Sequence, residues 1–154
     1  MNLVVRREAL ESEAARTLIG ALNAELSGTY PEPGATHFRL DGDDVGEGRG
    51  AFVVAYMDGV AVGCGAVRKM EGETAELKRM YVAPEARGKG IGRAVLEALE
   101  AEARRLGVKT LLLETGIRQA AATAMYRSAG YRDIPPYGEY VASAATSICM
   151  AKDL

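Results

Sequence analysis

The sequence has 154 residues, enough for one domain with a substantial core, and we expect a single domain over residues 1–154. Apolar residues make up 48% and charged residues 26% of the chain, as in ordinary globular proteins. The net charge of −2 provides no basic field for nucleic acid or an anionic membrane surface. No stretch approaches the roughly 18 apolar residues of a membrane span, and residues 1–16 lack a signal-peptide layout. We therefore expect a cytoplasmic protein without a nucleic-acid or membrane partner.

The first third of the chain predicts a strand, a helix and a long loop. Residues 3–7, LVVRR, indicate a short strand. Apolar residues at helical spacing then predict a helix over residues 13–26, capped near Ser12. Residues 27–50 are dense in Gly, Pro and Asp, and so long a loop is either mobile or functional. His37, the only histidine, falls in this loop, and we expect a mobile position rather than a part in a mechanism.

The middle of the chain begins with a predicted β-hairpin. Two apolar runs over residues 51–70 meet at Asp58-Gly59, a dipeptide typical of tight hairpin turns. Cys64 lies in the second run, and Cys149 lies in an apolar stretch near the end of the chain. We expect both cysteines to be reduced, buried packing residues.

The next predicted strand, residues 73–82 with the sequence ETAELKRMYV, changes its apolar phase midway. Ala75 and Leu77 place apolar side chains on one face, whereas Met80 and Val82 place them on the other. A phase change of one residue within a strand indicates a β-bulge, which redirects side chains and ends regular pairing.

A strand–helix–strand unit follows. RGKGIG, residues 87–92, connects the preceding strand to a strongly amphipathic helix that ends at Gly107. The apolar run at residues 108–115 predicts a strand buried on both faces and parallel to the one before the helix. A helix over residues 119–129, the loop PPYGEY and a last strand over residues 146–152 complete a mixed α/β order.

The glycine loop has the chemistry of an anion site. A loop that enters a helix presents unpaired N–H groups, and the helix dipole adds about half a positive charge there. Alternate glycines let a bulky anion approach the backbone, and cations lie between and beside them: Gly88, Gly90, Gly92, Arg87, Lys89 and Arg93. This combination favours binding of a phosphate or pyrophosphate.

Two other phosphate-binding motifs fit the loop less well. A P-loop requires Gly-x4-Gly-Lys-Ser/Thr, but Gly90 follows Lys89, and Ala83 occupies the first glycine position. The dinucleotide fingerprint Gly-x-Gly-x-x-Gly requires glycine where Arg93 stands, although Glu114 closes the next strand where a ribose-binding acid would lie. A dinucleotide-binding domain therefore remains an alternative.

The segment VAPEARGKGIGRAVLEALEAEA resembles the pyrophosphate-binding segment of the GNAT superfamily, the acyl-CoA-dependent N-acyltransferases. The family signature Arg/Gln-x-x-Gly-x-Gly/Ala corresponds here to the run from Arg87 to Gly92. A second stretch, AMYRSAGY at residues 124–131, resembles the Leu-Tyr-x-x-x-Gly-Phe/Tyr helix end of the same family. Together the two matches place residues 73–131 in the family's central region.

The resemblance implies a central mixed β-sheet flanked by helices, in which two adjacent parallel strands splay apart and bind acyl-CoA. The bulged strand would pair with the pantetheine arm, the glycine loop would hold the pyrophosphate, and Gln119 would replace an asparagine that often contacts the cofactor. The implied cofactor-binding residues are Met80, Tyr81, Val82, Arg87, Gly88, Lys89, Gly90, Ile91, Gly92, Arg93 and Gln119. No metal is implied.

The resemblance also suggests two catalytic residues for attack of an amine on a thioester. Tyr126 would protonate the departing thiolate, although a tyrosine here also fits a core packing role. Glu76 would act as the base, although it also fits a solvated strand carboxylate. Loop residues Tyr30, Tyr137 and Tyr140 either line the acceptor pocket or act as packing lids.

We therefore expect an N-acetyltransferase that transfers an acetyl group from acetyl-CoA to a primary amine of a small molecule or peptide. One alternative is a non-catalytic acyl-CoA-binding module, which Tyr126 disfavours. The other is the dinucleotide-binding domain. Members of the resembled family are often homodimers, so a homodimer is one expected assembly.

Overall fold

One mixed sheet of seven strands, in the order β1-β2-β3-β4-β5-β7-β6, organises the computed structural model, which describes residues 2–154. The strands are β1 (Leu3–Arg7), β2 (Gly50–Met57), β3 (Val60–Lys69), β4 (Thr74–Val82), β5 (Thr110–Gly116), β6 (Arg132–Ile134) and β7 (Ser147–Asp153). The helices are α1 (Glu13–Thr29), α2 (Ile91–Arg105) and α3 (Ala120–Ser128), with short 3-10 helices at Gly42–Val45, Pro84–Ala86 and Gly138–Ser143. Among residues 2–154, no helix combines the length and apolar character that crossing a membrane requires.

Most predicted elements are present, with differences at their ends. The Ser12 hydroxyl caps α1 by accepting a hydrogen bond from the Ala15 N–H at 3.1 Å, as expected. Helix α1 runs to Thr29, three residues beyond the predicted end at residue 26, and a 3-10 turn lies within the predicted loop. Strand β6 was not predicted, because its three residues pair only with β7 and carry no apolar alternation.

The predicted bulge is confirmed in β4. The pairing register of β3 with β4 shifts between Cys64 and Ala66, and Arg79 adopts a positive φ of 57°. The Cys64 thiol donates a hydrogen bond to the Arg79 carbonyl at 3.3 Å, and this gives a partner to a backbone acceptor within the bulge. The bulge therefore turns the second half of β4 away from its regular course.

Strands β4 and β5 are parallel, as predicted, but they pair over only four residues each. The paired stretch runs from Thr74 opposite Thr110 to Leu77 opposite Leu113. Beyond Leu113, β5 continues to pair with β7 as far as Gly116. The two parallel strands therefore separate at the bulge, which opens a cleft in the middle of the sheet.

The sheet carries a core on each face. Alternate residues of β2 divide between the two cores: Val53 and Ala55 pack with α2, whereas Phe52 and Val54 pack with α1. The α2 core also includes Tyr126 of α3, so α2 and α3 cover one face and α1 covers the other. Both cysteines are buried and free, as predicted.

A buried carboxylate fixes the outer end of the α2 core. Glu100 of α2 is 6% exposed and accepts hydrogen bonds from the Tyr131 hydroxyl at 2.8 Å and the Lys152 ammonium at 3.0 Å. Removing one partner of a buried ion pair leaves the other charge uncompensated, which costs more than an exposed pair contributes. The trio therefore ties α2, the end of α3 and β7 together.

We expect Lys152→Met to lower the free energy of unfolding by about 2 kcal/mol, because Glu100 then keeps a single donor in a buried place. Urea unfolding followed by far-UV circular dichroism measures this, since the chain has no tryptophan. Lys109→Met is the matched control, because Lys109 is 72% exposed and lies 4.0 Å from an exposed Glu73. The control should change stability by no more than about 0.5 kcal/mol, and equal effects of the two variants would contradict the role of Glu100.

Candidate active site

A cavity of about 640 Å³ opens between the end of α1, the bulged half of β4, the glycine loop and the start of α3. Every predicted cofactor-binding residue lines it except Lys89, which is exposed outside it. The predicted residues that line this cavity are Met80, Tyr81, Val82, Arg87, Gly88, Gly90, Ile91, Gly92, Arg93 and Gln119. The structure thus brings together, around one volume, residues that were selected from separate sequence stretches.

The glycine loop delivers a helix N-terminus to this cavity. Gly88 and Gly90 have positive φ angles of 77° and 78°, a conformation that L side chains rarely adopt. Gly90 is the N-cap of α2, and it has no side chain to satisfy the first N–H groups of the helix. Those donors and the helix dipole therefore face the cavity and favour an anion there.

Two arginines beside the loop are already positioned by other contacts. One Nη of Arg87 contacts both carboxylate oxygens of Glu25 on α1, at 2.9 and 3.1 Å, and its Nε donates to the Val82 carbonyl at 2.9 Å. Arg93 donates to the Ser128 hydroxyl of α3 at 3.2 Å. Both cations are thereby held at the rim of the cavity.

A smaller cavity of about 100 Å³ lies at the cleft where β4 and β5 separate. Its walls come from both strands on either side of the separation, residues 77–80 and 113–116, and from α3. Met80, Gln119 and Tyr126 line both cavities, so the two volumes adjoin. The arrangement can hold an elongated molecule with an anionic group at the loop and its other end in the cleft.

Tyr126 lies at the junction of the two cavities. Its side chain is 5% exposed, and its ring meets Tyr131 edge-on with centroids 5.8 Å apart. Burial, with a smaller contribution from the charge of Glu114, raises the pKa of Tyr126 well above its ordinary value. The phenol therefore keeps its proton at neutral pH and remains available as a proton donor.

Glu114 is a second titratable group in the small cavity, and it was assigned from sequence only to the dinucleotide alternative. It is the first residue of β5 beyond the stretch that pairs with β4, and together with Tyr126 it lines the small cavity. Burial raises its pKa, while a hydrogen bond that the Ser147 hydroxyl donates to Oε2 at 2.6 Å acts in the opposite direction. An acidic residue inside an otherwise apolar strand, at the point where parallel pairing ends, is the sequence signal that identifies it.

Glu76, the base suggested from sequence, is fully enclosed by its own partners at 1% exposure. The Arg68 Nε donates to its Oε1 at 2.9 Å, and the hydroxyls of Tyr137 and Tyr140 donate to its Oε2 at 2.6 and 2.9 Å. Glu76 is absent from the lining of both cavities. The neighbouring cation is Arg68, which lies opposite Glu76 across the β3–β4 pair.

His37, expected at a mobile loop position, is held by several side-chain contacts, although it lines neither cavity. Its Nδ1 lies 2.9 Å from a Glu139 carboxylate oxygen, its Nε2 lies 2.8 Å from the Ser143 hydroxyl, and its side chain is only 11% exposed. The imidazole also meets the Tyr140 ring edge-on at 4.8 Å. These contacts hold the loop after α1 against the 3-10 helix at Gly138–Ser143, a long-range packing that the loop composition does not reveal.

Tyr30 is a packing residue at the edge of the site. It ends α1 at 5% exposure, and its hydroxyl accepts the Arg118 N–H at 2.8 Å. A side chain at Gly116 would overlap the Tyr30 ring, so the ring lies directly on the β5 backbone. Tyr30 thus connects the end of α1 to the turn that leads into α3.

Comparison with known proteins agrees with this geometry. The model described as Acetyltransferase (GNAT) family matches residues 15–131. The chain is 41% identical over 140 residues to the IAA acetyltransferase of Azospirillum brasilense, a match that covers 90% of each chain. A Klebsiella pneumoniae structure described as that of a candidate acyl-CoA N-acyltransferase superposes with a TM-score of 0.85 at 33% identity, over 99% of this chain and 97% of that one.

The fold also matches a GNAT family acetyltransferase from Elizabethkingia anophelis that was solved with acetyl-CoA bound. That superposition has a TM-score of 0.71 at 17% identity and covers 99% of both chains. The glycine loop, the splayed parallel strands and the family match over residues 15–131 lead to one assignment. The chain belongs to the acetyltransferase (GNAT) family.

Proposed function

We propose that this protein transfers the acetyl group of acetyl-CoA to a primary amine of a small molecule or peptide. The observation that carries the proposal is the continuity of the two cavities, from the helix N-terminus at Gly90 to Tyr126 and Glu114 in the cleft. The pyrophosphate is placed at the glycine loop, where unpaired N–H groups favour an anion. The pantetheine arm lies along Met80–Val82, where β4 has no strand partner on the β5 side.

The reaction needs a base, because a protonated amine cannot attack a thioester. Glu114 fits this role: its carboxylate lines the cleft, and its raised pKa makes it a stronger base than an ordinary glutamate. Glu76, the alternative from sequence, has both carboxylate oxygens occupied by Arg68, Tyr137 and Tyr140. We assign Glu76 to holding these two tyrosines beside the acceptor side of the cleft.

The departing thiolate needs a proton, and Tyr126 is placed to supply it. The phenol lies at the junction of the cavities, which is where the end of the pantetheine arm meets the cleft. Positioning of the amine and the thioester in one enclosed volume contributes the rest of the rate, because a thiolate is already a fair leaving group. Tyr126 therefore acts on the leaving group, whereas Glu114 acts on the amine.

We expect Gly90→Glu to abolish binding of acetyl-CoA in calorimetric titration. The new carboxylate repels the pyrophosphate, and the side chain also strains a residue at a φ of 78°. Gly72→Glu is the matched control, because Gly72 has a φ of 66° in an exposed turn with open space around it. A protein that binds NADH but not acetyl-CoA would contradict the proposed cofactor.

We expect Glu114→Gln to lower kcat/KM by about 10²–10⁴, because an amide cannot accept the amine proton. In the unchanged protein kcat/KM should rise as pH rises through the raised pKa of Glu114, since only the ionised carboxylate is a base. This rise of kcat/KM with pH, the pH limb, should be absent in Glu114→Gln. Thiol release from acetyl-CoA is measured with four amines: tyramine, spermidine, L-lysine and an alanine-initiated peptide.

Glu76→Gln separates the two candidate bases. We expect it mainly to destabilise the fold, because the buried ion pair with Arg68 is lost, while the folded fraction keeps its pH profile. A folded Glu76→Gln variant that has lost the pH limb, together with an active Glu114→Gln variant, would assign the base to Glu76 instead.

We expect Tyr126→Phe to lower turnover by about 10²-fold or more while leaving acetyl-CoA binding intact, because the substitution removes only the hydroxyl that donates the proton. Tyr56→Phe is the control, since it removes a phenol that contacts Glu8 at the other end of the sheet. If the unchanged protein binds acetyl-CoA but releases no thiol with any of the four amines, it behaves as an acyl-CoA-binding module toward them, and acetylation of these amines is excluded.

A further inference from the structure

A row of hydrogen-bonding side chains leads from Glu114 to the protein surface. Ser147 of β7 donates to Glu114 Oε2 at 2.6 Å, and its oxygen lies 3.0 Å from the Ser143 hydroxyl. The Ser143 hydroxyl lies 2.8 Å from His37 Nε2, and His37 Nδ1 lies 2.9 Å from Glu139. Ser143 and Ser147 are each 7% exposed, whereas the Glu139 side chain is 46% exposed. The row therefore connects the bottom of the cleft to solvent without a break.

We propose that this row, Glu114–Ser147–Ser143–His37–Glu139, carries the proton of the acceptor amine from Glu114 to solvent after each turnover. The inference rests on the proposed function, in which Glu114 takes that proton. His37 then acts as the exit group, and the two serines act as relays. Ser147, Ser143, His37 and Glu139 do not need to touch the substrate.

The proton balance of the reaction requires such an exit. A protonated amine loses two protons as it becomes an amide, and the thiolate of CoA gains one. One amine proton goes to Glu114, and the other returns to Tyr126 after the phenol has protonated the thiolate. One proton per turnover must therefore leave the protein, and it leaves from Glu114. The ionised carboxylate has to be restored before the next amine can be activated.

The distances along the row permit transfer from Glu114 toward His37. When Glu114 is protonated, its O–H, the Ser147 O–H and the Ser143 O–H can each donate to the next oxygen and finally to a neutral His37 Nε2. One concerted shift leaves Glu114 ionised and His37 as imidazolium, with the Nδ1 proton on the Glu139 side. That proton passes to water beside Glu139. Before the next turnover the imidazole returns to the Nδ1–H tautomer by exchange with solvent, and the two serine hydroxyls rotate back toward His37.

In the proposed complex the substrates fill the open side of Glu114. Of the two cavities, Glu114 lines only the one of about 100 Å³, where the proposed reaction places the acetyl group and the amine. Proton transfer in proteins needs hydrogen-bonded donors and acceptors in contact, and on the side away from the cleft Ser147 provides that contact. The internal row is therefore the path that stays available while the substrates are bound.

The charges around both ends suit a proton that enters at Glu114 and leaves at His37. An imidazole can accept a proton on one nitrogen and donate one from the other, and this one faces the Glu139 carboxylate. Lys78 lies 3.9 Å from the other Glu139 oxygen, and Arg79 donates to the His37 carbonyl at 3.4 Å. On the inner side the charges that face Glu114 are those of His37, Glu76 and Lys78.

The test uses Ser143→Ala and His37→Ala in the full chain, with acetyl-CoA and whichever of the four named amines is acetylated fastest. Each variant breaks the row but leaves Glu114 ionised at the start, so the first turnover should keep its rate in rapid-mixing experiments. Later turnovers should slow about tenfold, which produces a burst of thiol release. Imidazole in solution should restore the steady-state rate of His37→Ala, and not that of Ser143→Ala.

Thr146→Val is the matched control, because it removes a 3.2 Å hydrogen bond to the Ser143 carbonyl in the same loop but leaves the row intact. It should show no burst. Steady-state rates in Ser143→Ala and His37→Ala equal to the unchanged protein would overturn the relay, and so would an equal slowing of first and later turnovers. If Glu114→Gln is itself fully active, the proposed base is wrong, and this outcome is distinct from failure of the relay alone.

Discussion

The short parallel pairing of β4 and β5 is the constraint on which the rest of the site depends. The strands hold each other only as far as Leu77 and Leu113, and the bulge at Arg79 then turns β4 away. A sheet that continued its ladder would satisfy its own backbone groups and leave no cleft. Because it stops, Glu114 and Tyr126 face an open volume inside the protein, and the glycine loop begins close to the same edge.

Two glutamates on the neighbouring strands β4 and β5, the buried Glu76 and the partly buried Glu114, have different surroundings, which give one a packing role and the other a proposed catalytic role. Glu76 is surrounded by a guanidinium and two phenols, so its charge is fully compensated and its oxygens are occupied. Glu114 has a single hydroxyl donor and an open side, and burial raises its pKa. The same residue type is thus fixed as a structural anion in one place and left as a titrating group in the other.

The features that could be predicted from the sequence are local in the chain. The glycine loop, the amphipathic α2 and the phase change in β4 each depend on residues within one or two turns of each other, and all three are present. The family assignment followed from two such local motifs, and it is confirmed over residues 15–131.

The features that the sequence did not reveal depend on distant contacts. His37 meets residues more than 100 positions later, and the Ser147 hydroxyl reaches Glu114 across the β5–β7 pair. No periodicity in the loop after α1 indicates that it packs against Glu139 and Ser143. The role of Glu76 was likewise hidden, because Tyr137 and Tyr140 reach it from a loop some 60 residues away.

The walls of the cofactor cavity differ in what holds them together. Its base is the apolar core beneath Ile91 and Val82. The opposite rim is joined to α1 by the ion pair Arg87–Glu25 and to the segment after α1 by Arg118–Glu32, and these side chains are 34–46% exposed. Exposed pairs contribute little to stability, whereas packed core resists separation. The ion pairs are therefore not what holds α1 in place, and the buried Leu22 and Tyr30, at 4% and 5% exposure, supply the packing that does. Because the Arg87–Glu25 pair is exposed, an anionic ligand can take Arg87 from Glu25 at small cost, while α1 stays packed on the sheet that aligns the reacting groups.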